Sequence, residues 1–104
     1  MLFDKQKYVI QVNHGKGQII TKDFRGLLCD IFVEPEKHKK SVVYDLSISD
    51  FENDEIYFDD NIKGKIFRNV HIPVGQSKSE PLIIKLSGST HNINFKVILL
   101  TQER

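Results

Sequence analysis

The chain has no alanine, no tryptophan, one cysteine, one methionine and three prolines in 104 residues. Each shortage excludes something. Alanine is the best helix former, so its absence removes the residue on which marginal helices most depend. The single Cys29 cannot close an internal disulfide, and the fold therefore does not depend on an oxidising compartment. Cys29 lies between Leu28 and Asp30 in an apolar stretch, where a buried, inert thiol is expected. No segment approaches the roughly 20 apolar residues of a membrane-spanning helix. The opening Met1-Leu2-Phe3-Asp4-Lys5 has no apolar core of a secretory signal. A soluble protein is expected, used in the cell that makes it or in a particle assembled there, with no membrane partner.

What is present points to strands. The chain holds 13 Ile, 8 Val and 7 Phe, residues suited to a pleated surface. Val42, Tyr44, Leu46 and Ile48 alternate with Val43, Asp45, Ser47 and Ser49. A period of two marks a strand with one buried and one wet face. The pattern breaks at Phe51-Glu52-Asn53-Asp54 and resumes at Glu55-Ile56-Tyr57-Phe58, which predicts a hairpin with an acidic tip.

Other strands are predicted at 8–12, 18–24, 27–33, 65–72, 82–87 and 93–99. In the last of these Ile93, Phe95, Val97 and Leu99 face inward. Ile98 and Leu100 face the other way, under a loop or in a contact surface. His14-Gly15-Lys16-Gly17, Asp59-Asp60-Asn61 and Gly88 to Asn92 read as turns, and Pro73-Val74-Gly75 as a strand stop. Residues 34–40 and 76–81 read as mobile loops, and residues 1–7 and 101–104 as terminal arms. The expectation is an all-β chain: one domain over residues 1–104, an immunoglobulin-like or jelly-roll-like β-sandwich of seven or eight short antiparallel strands. A closed barrel would give the same alternation.

Charge is balanced overall at +1 but unevenly spread. Residues 45–60 carry seven acids and no base, between flanks that are both net basic. An acidic patch between basic flanks suits self-association or docking to a polar partner. The residues singled out for such contacts are Asp50, Glu52, Asp54 and Glu55 at the tip, and Lys37, Lys39 and Lys40 in the opposing basic loop.

No constellation for catalysis or cofactor binding emerges, and neither an enzyme nor a cofactor is expected. His14, His38, His71 and His91 are scattered without metal-ligand spacing. Asp50 to Glu55 resembles the start of a calcium loop but lacks Gly at the sixth position. His14-Gly15-Lys16-Gly17 lacks the order of a phosphate loop. Tyr8, Phe24, Arg25, Phe67 and Arg68 would make a single-strand-binding face if the fold gathered them. The near-neutral charge argues against strong phosphate binding.

From Val42 onward the order of features resembles small β proteins of tailed bacteriophages. The matching features are Tyr44-Asp45-Leu46-Ser47-Ile48-Ser49-Asp50, then Pro73-Val74, then the closing strands at 82–87 and 94–99. The tip Phe51-Glu52-Asn53-Asp54 stands where a glycine-containing turn is expected. The resemblance implies a virion structural protein without catalytic residues: a capsid decoration or cement protein, or a head–tail or tail accessory. It implies contacts with other virion subunits, a homo-oligomer, and location in the virion after assembly in host cytoplasm. The alternative is an OB-like nucleic-acid-binding module or another ligand-binding β module.

Overall fold

The computed structural model describes residues 2–103. Eight strands follow in order: β1 (Leu2–Gln11), β2 (Gly17–Ile20), β3 (Gly26–Pro35), β4 (Val43–Ser49), β5 (Glu55–Lys63), β6 (Ile66–Val74), β7 (Ile83–Ser87) and β8 (Asn94–Glu103). They form two four-stranded antiparallel sheets, ordered β1-β8-β3-β6 and β2-β7-β4-β5. Strand 1 pairs with 8, 2 with 7, 3 with 6 and 4 with 5. That is one long hairpin folded over onto itself, the jelly-roll arrangement of a β-sandwich. The ladders close two separate sheets and not a barrel.

The core lies between the sheets and matches the alternation in the sequence. Val42, Tyr44, Leu46 and Ile48 are fully buried, as are Leu82, Ile84, Phe95, Val97 and Leu99. Tyr44 sits edge-on to Phe95, with ring centroids 4.9 Å apart. Its hydroxyl donates to the Gly64 carbonyl at 2.8 Å, so the most voluminous buried side chain also anchors the β5–β6 turn. Gly64 has φ +74, and a Cβ there would stand 2.4 Å from the Lys39 carbonyl oxygen, so only glycine fits. The predicted turn at residues 14–17 is also present. His14 and Gly15 both have positive φ, and Asn13 and Lys16 exchange backbone hydrogen bonds, as in a two-residue primed turn.

Several expectations are corrected. The terminal arms are not arms: β1 and β8 pair from Leu2↔Glu103 to Gln11↔Asn94, while Met1 and Arg104 lie outside the described residues. The alternation is legible in the sequence only from Tyr8, because Lys5 and Lys7 alternate with Asp4 and Gln6 and carry no apolar signal. Strand β2 stops at Ile20, and Phe24 is instead a buried, isolated bridge to Glu80. Asp59-Asp60-Asn61 is not a turn but runs within β5. Asn61 takes φ +50 at a bulge, and its N–H donates to Asp45 Oδ1 at 2.9 Å. Pro73 does not stop β6; it lies within it, on the edge strand of its sheet, where a missing N–H is tolerated. The loop at 76–81 is tied down by Arg25, which donates to the Gln76 carbonyl, and by the Phe24–Glu80 bridge. Residues 34 and 35 belong to β3, and Glu36 N–H donates to the Asn94 carbonyl.

Candidate interaction surfaces

The acidic tip is built on Asp50. Its Oδ1 accepts the N–H groups of Glu52 and Asp54, each at 2.9 Å, while its own N–H donates to the Asp54 carbonyl. Asn53 turns the chain with φ +65. This side-chain-capped turn does the work of the missing glycine. Asp50 is therefore committed to the backbone, whereas Glu52 and Asp54 are exposed and make no protein contact through their carboxylates among the described hydrogen bonds. Glu55 accepts from Ser47 Oγ at 2.8 Å on the outer face of its sheet. Phe51, 62% exposed, stands beside Glu52 over a hollow shared with Asp23 and Lys78. Replacing Asp50 with alanine should cost about 1 kcal/mol by loosening the turn. Glu52→Gln should leave stability unchanged; urea unfolding of the two variants checks the difference.

The basic residues cluster at the other end. Strand β4 runs straight from the 36–42 loop to Asp50, and seven residues of strand span about 23 Å. The two sequence-predicted groups are thus brought to opposite poles of a body 39 Å long. Lys39 and Lys40 meet Lys63 and Lys65 around a shallow hollow of about 430 Å³, with Glu34 the one acid on its wall. Lys37 stands aside, against Glu36 and Asn92. Glu34 is flanked by Lys39 Nζ at 3.5 Å and Lys96 Nζ at 4.0 Å. Sequence reasoning missed Lys63 and Lys65. The signal was present: a hairpin from β4 must return β5 to the pole it left, and Gly64 turns the chain there between two lysines.

Elsewhere charge is used internally. Lys22 is bonded to Asp4, which holds that carboxyl below its usual range and raises the Lys22 ammonium; the pair ties the β2–β3 connection to β1. Arg68 Nε donates to Asp59 Oδ2 at 3.0 Å, linking β6 of one sheet to β5 of the other. Burial, and then the Asp59 carboxylate, pushes the Tyr57 phenol up. The nucleic-acid candidates are not gathered: Phe24 is buried, Tyr8 is bonded to Gln6, Arg68 is paired, and Phe67 lies on an outer sheet face. Among the described residues no three His, Cys, Asp or Glu side chains converge as a metal site would require.

The chain is thus a jelly-roll sandwich with poles of opposite charge. No protein-family model matches it, and no curated protein matches it in sequence. Among solved structures it is similar to the infectious bursal disease virus VP2 subviral particle. The identity is 9% and the TM-score 0.42, over 98% of this chain and 32% of that one. A structure of the Gt strain of infectious bursal disease virus is similar at 12% identity and a TM-score of 0.32, over 96% of this chain and 31% of that one. The chain spans about a third of the length of these proteins. Likeness at this level carries no function across, so function must be argued from the chain's own residues.

Proposed function

We propose that the protein is a non-enzymatic structural component of a virus particle, a tailed-bacteriophage decoration or cement protein or a head–tail or tail accessory. The observation that carries this reading is the polar charge distribution on a jelly roll. The tip with Glu52 and Asp54 and the hollow with Lys39, Lys40, Lys63 and Lys65 are complementary surfaces at opposite poles. Complementary poles can set the register between neighbouring subunits, and weak contacts repeated across a lattice sum to firm attachment. Jelly rolls recur in viral capsid domains, which supports the reading by analogy of fold. The resemblance of residues 44–50 and 73–74 to phage β proteins supports its finer part.

Two measurements test it. Mass spectrometry of virions purified from the source of this chain should find it in many copies per particle; its absence overturns the proposal. Binding of the purified protein to those particles should weaken as salt rises from 0.1 to 1 M, where the screening length falls from about 10 to 3 Å. Glu52→Lys with Asp54→Lys should weaken it at least tenfold. Binding unchanged by both would reduce the tip to a solubility surface.

A further inference from the structure

The outer face of the β1-β8-β3-β6 sheet is apolar along its middle, and its pattern is self-complementary. The central cross-strand row is Lys7–Ile98–Phe32–Phe67. Phe67 is 61% exposed, Phe32 and Ile98 are half-buried, and no strand among the described residues forms a further layer over this row. Towards the basic pole comes Lys96 beside Glu34; towards the acidic pole comes Lys5–Leu100–Asp30–Asn69, then Phe3–Gln102–Leu27–Pro73. The opposite outer face differs: Lys85 and Ser47 occupy its centre, and its apolar residues Ile20 and Phe58 sit at the two edges.

We infer that this face binds a second copy of the chain, about a two-fold axis parallel to the strands and between β8 and β3. That axis exchanges β8 with β3 and β1 with β6, so each row falls on itself. Ile98 meets Phe32 of the second copy, and the Lys7 ammonium meets the ring of Phe67, a cation–π pair. Phe3 meets Pro73. Asp30, which accepts from Asn69 at 2.7 Å, falls over Leu100 with Lys5 one strand away. Lys96 meets Glu34 of the second copy. Each Glu34 already faces Lys96 of its own chain at 4.0 Å, so the dimer closes a ring of four alternating charges.

Size and edges favour this occupant. Four strands by about eight residues give a flat footprint of about 19 by 27 Å. That is about 500 Å² per copy before side-chain relief, the scale at which two partners clear the ~1,000 Å² of a specific interface. Edge-to-edge pairing is disfavoured at three of the four sheet edges. The β6 edge carries Pro73, β5 is broken by two bulges, and Lys22 holds the β1 edge through Asp4. This pairing does not depend on the virion reading.

The test is sedimentation of the full chain at micromolar to tens-of-micromolar concentration. A dimer that persists in 1 M salt is expected, since its centre is apolar; a monomer throughout overturns the inference. Phe67→Lys, at an exposed position, sets an ammonium against the Lys7 ammonium of the second copy and should weaken dimerisation at least tenfold; an unchanged dimer overturns it. Lys96→Glu alone and Glu34→Lys alone should each dissociate, because each places like charges across the axis. Mixing these two variants should restore a heterodimer. The two reversed positions then face each other across the axis, and the native Glu34 of one copy faces the native Lys96 of the other. Failure of the mixture to associate rejects the proposed axis.

Discussion

Gly26→Ala is expected to destabilise the fold by about 3 kcal/mol or more, among the largest effects of any single-methyl addition in this chain. Gly26 opens β3 with φ +150, a backbone conformation open to glycine and costly for other residues. It pairs with Glu103 of β8 on one side and Val74 of β6 on the other. A Cβ there would stand 1.9 Å from the Gln102 carbonyl oxygen and 3.0 Å from the Glu103 Cα. These are backbone atoms of a paired strand and cannot swing aside. The end of the β3–β8 ladder would have to open, and with it the β1–β8 pairing at Leu2↔Glu103. Gly88→Ala is the control: φ is also positive, at +57, but the new methyl meets only the Asp45 carboxylate, at 3.2 Å. A cost of about 1 kcal/mol is expected there. Equilibrium urea unfolding of the two variants measures the difference; equal costs would show that the β3–β8 junction tolerates separation.

Tyr44 carries the second large effect. Truncation to alanine should cost about 3–5 kcal/mol, the range for removing a buried aromatic ring. Tyr44→Phe keeps the edge contact with Phe95 but leaves the Gly64 carbonyl without its donor, at a cost of about 1–2 kcal/mol. Tyr44→Phe also separates from the native chain in alkali. Burial pushes the Tyr44 phenol well above its ordinary value of 10.0, so the folded chain keeps a proton that the unfolded chain releases. The unfolded state binds fewer protons above pH 10.0, and stability falls as pH rises through that region. For one such group the slope approaches about 1.4 kcal/mol per pH unit. Tyr57 shifts in the same direction and adds to the loss. Tyr44→Phe should therefore start less stable at neutral pH and lose stability less steeply above pH 10.0 than the native chain. Parallel pH profiles would show that the Tyr44 hydroxyl does not govern alkaline unfolding.

The charge surface was legible only in part. The clustering of Asp50, Glu52, Asp54 and Glu55 is local in sequence, so composition revealed it. That Asp50 is occupied by the Glu52 and Asp54 N–H groups depends on a turn geometry that the residues Phe51-Glu52-Asn53-Asp54 do not announce. Lys63 and Lys65 join Lys39 and Lys40 only because β5 returns antiparallel to β4. The outer-face row of Ile98, Phe32 and Phe67 draws on three strands far apart in the chain, and no local pattern contains it.

The sequence by itself determined the strands with clear alternation and the buried side of each, because a period of two assigns every second residue to one face whatever the neighbours are. Val42 to Ile48, Leu82 to Leu86 and Phe95 to Leu99 are such strands. Tertiary structure decided what depends on pairing. It turned residues 2–7 and 101–103 into a ladder, because each strand supplies the backbone partners that the other lacks. It absorbed Asp59-Asp60-Asn61 into β5, where Asp45 accepts the Asn61 N–H at a bulge. It chose two sheets over a barrel, since strand alternation is the same in both and only the order of hydrogen-bonded neighbours separates them. The same order placed the opposite charges at opposite poles.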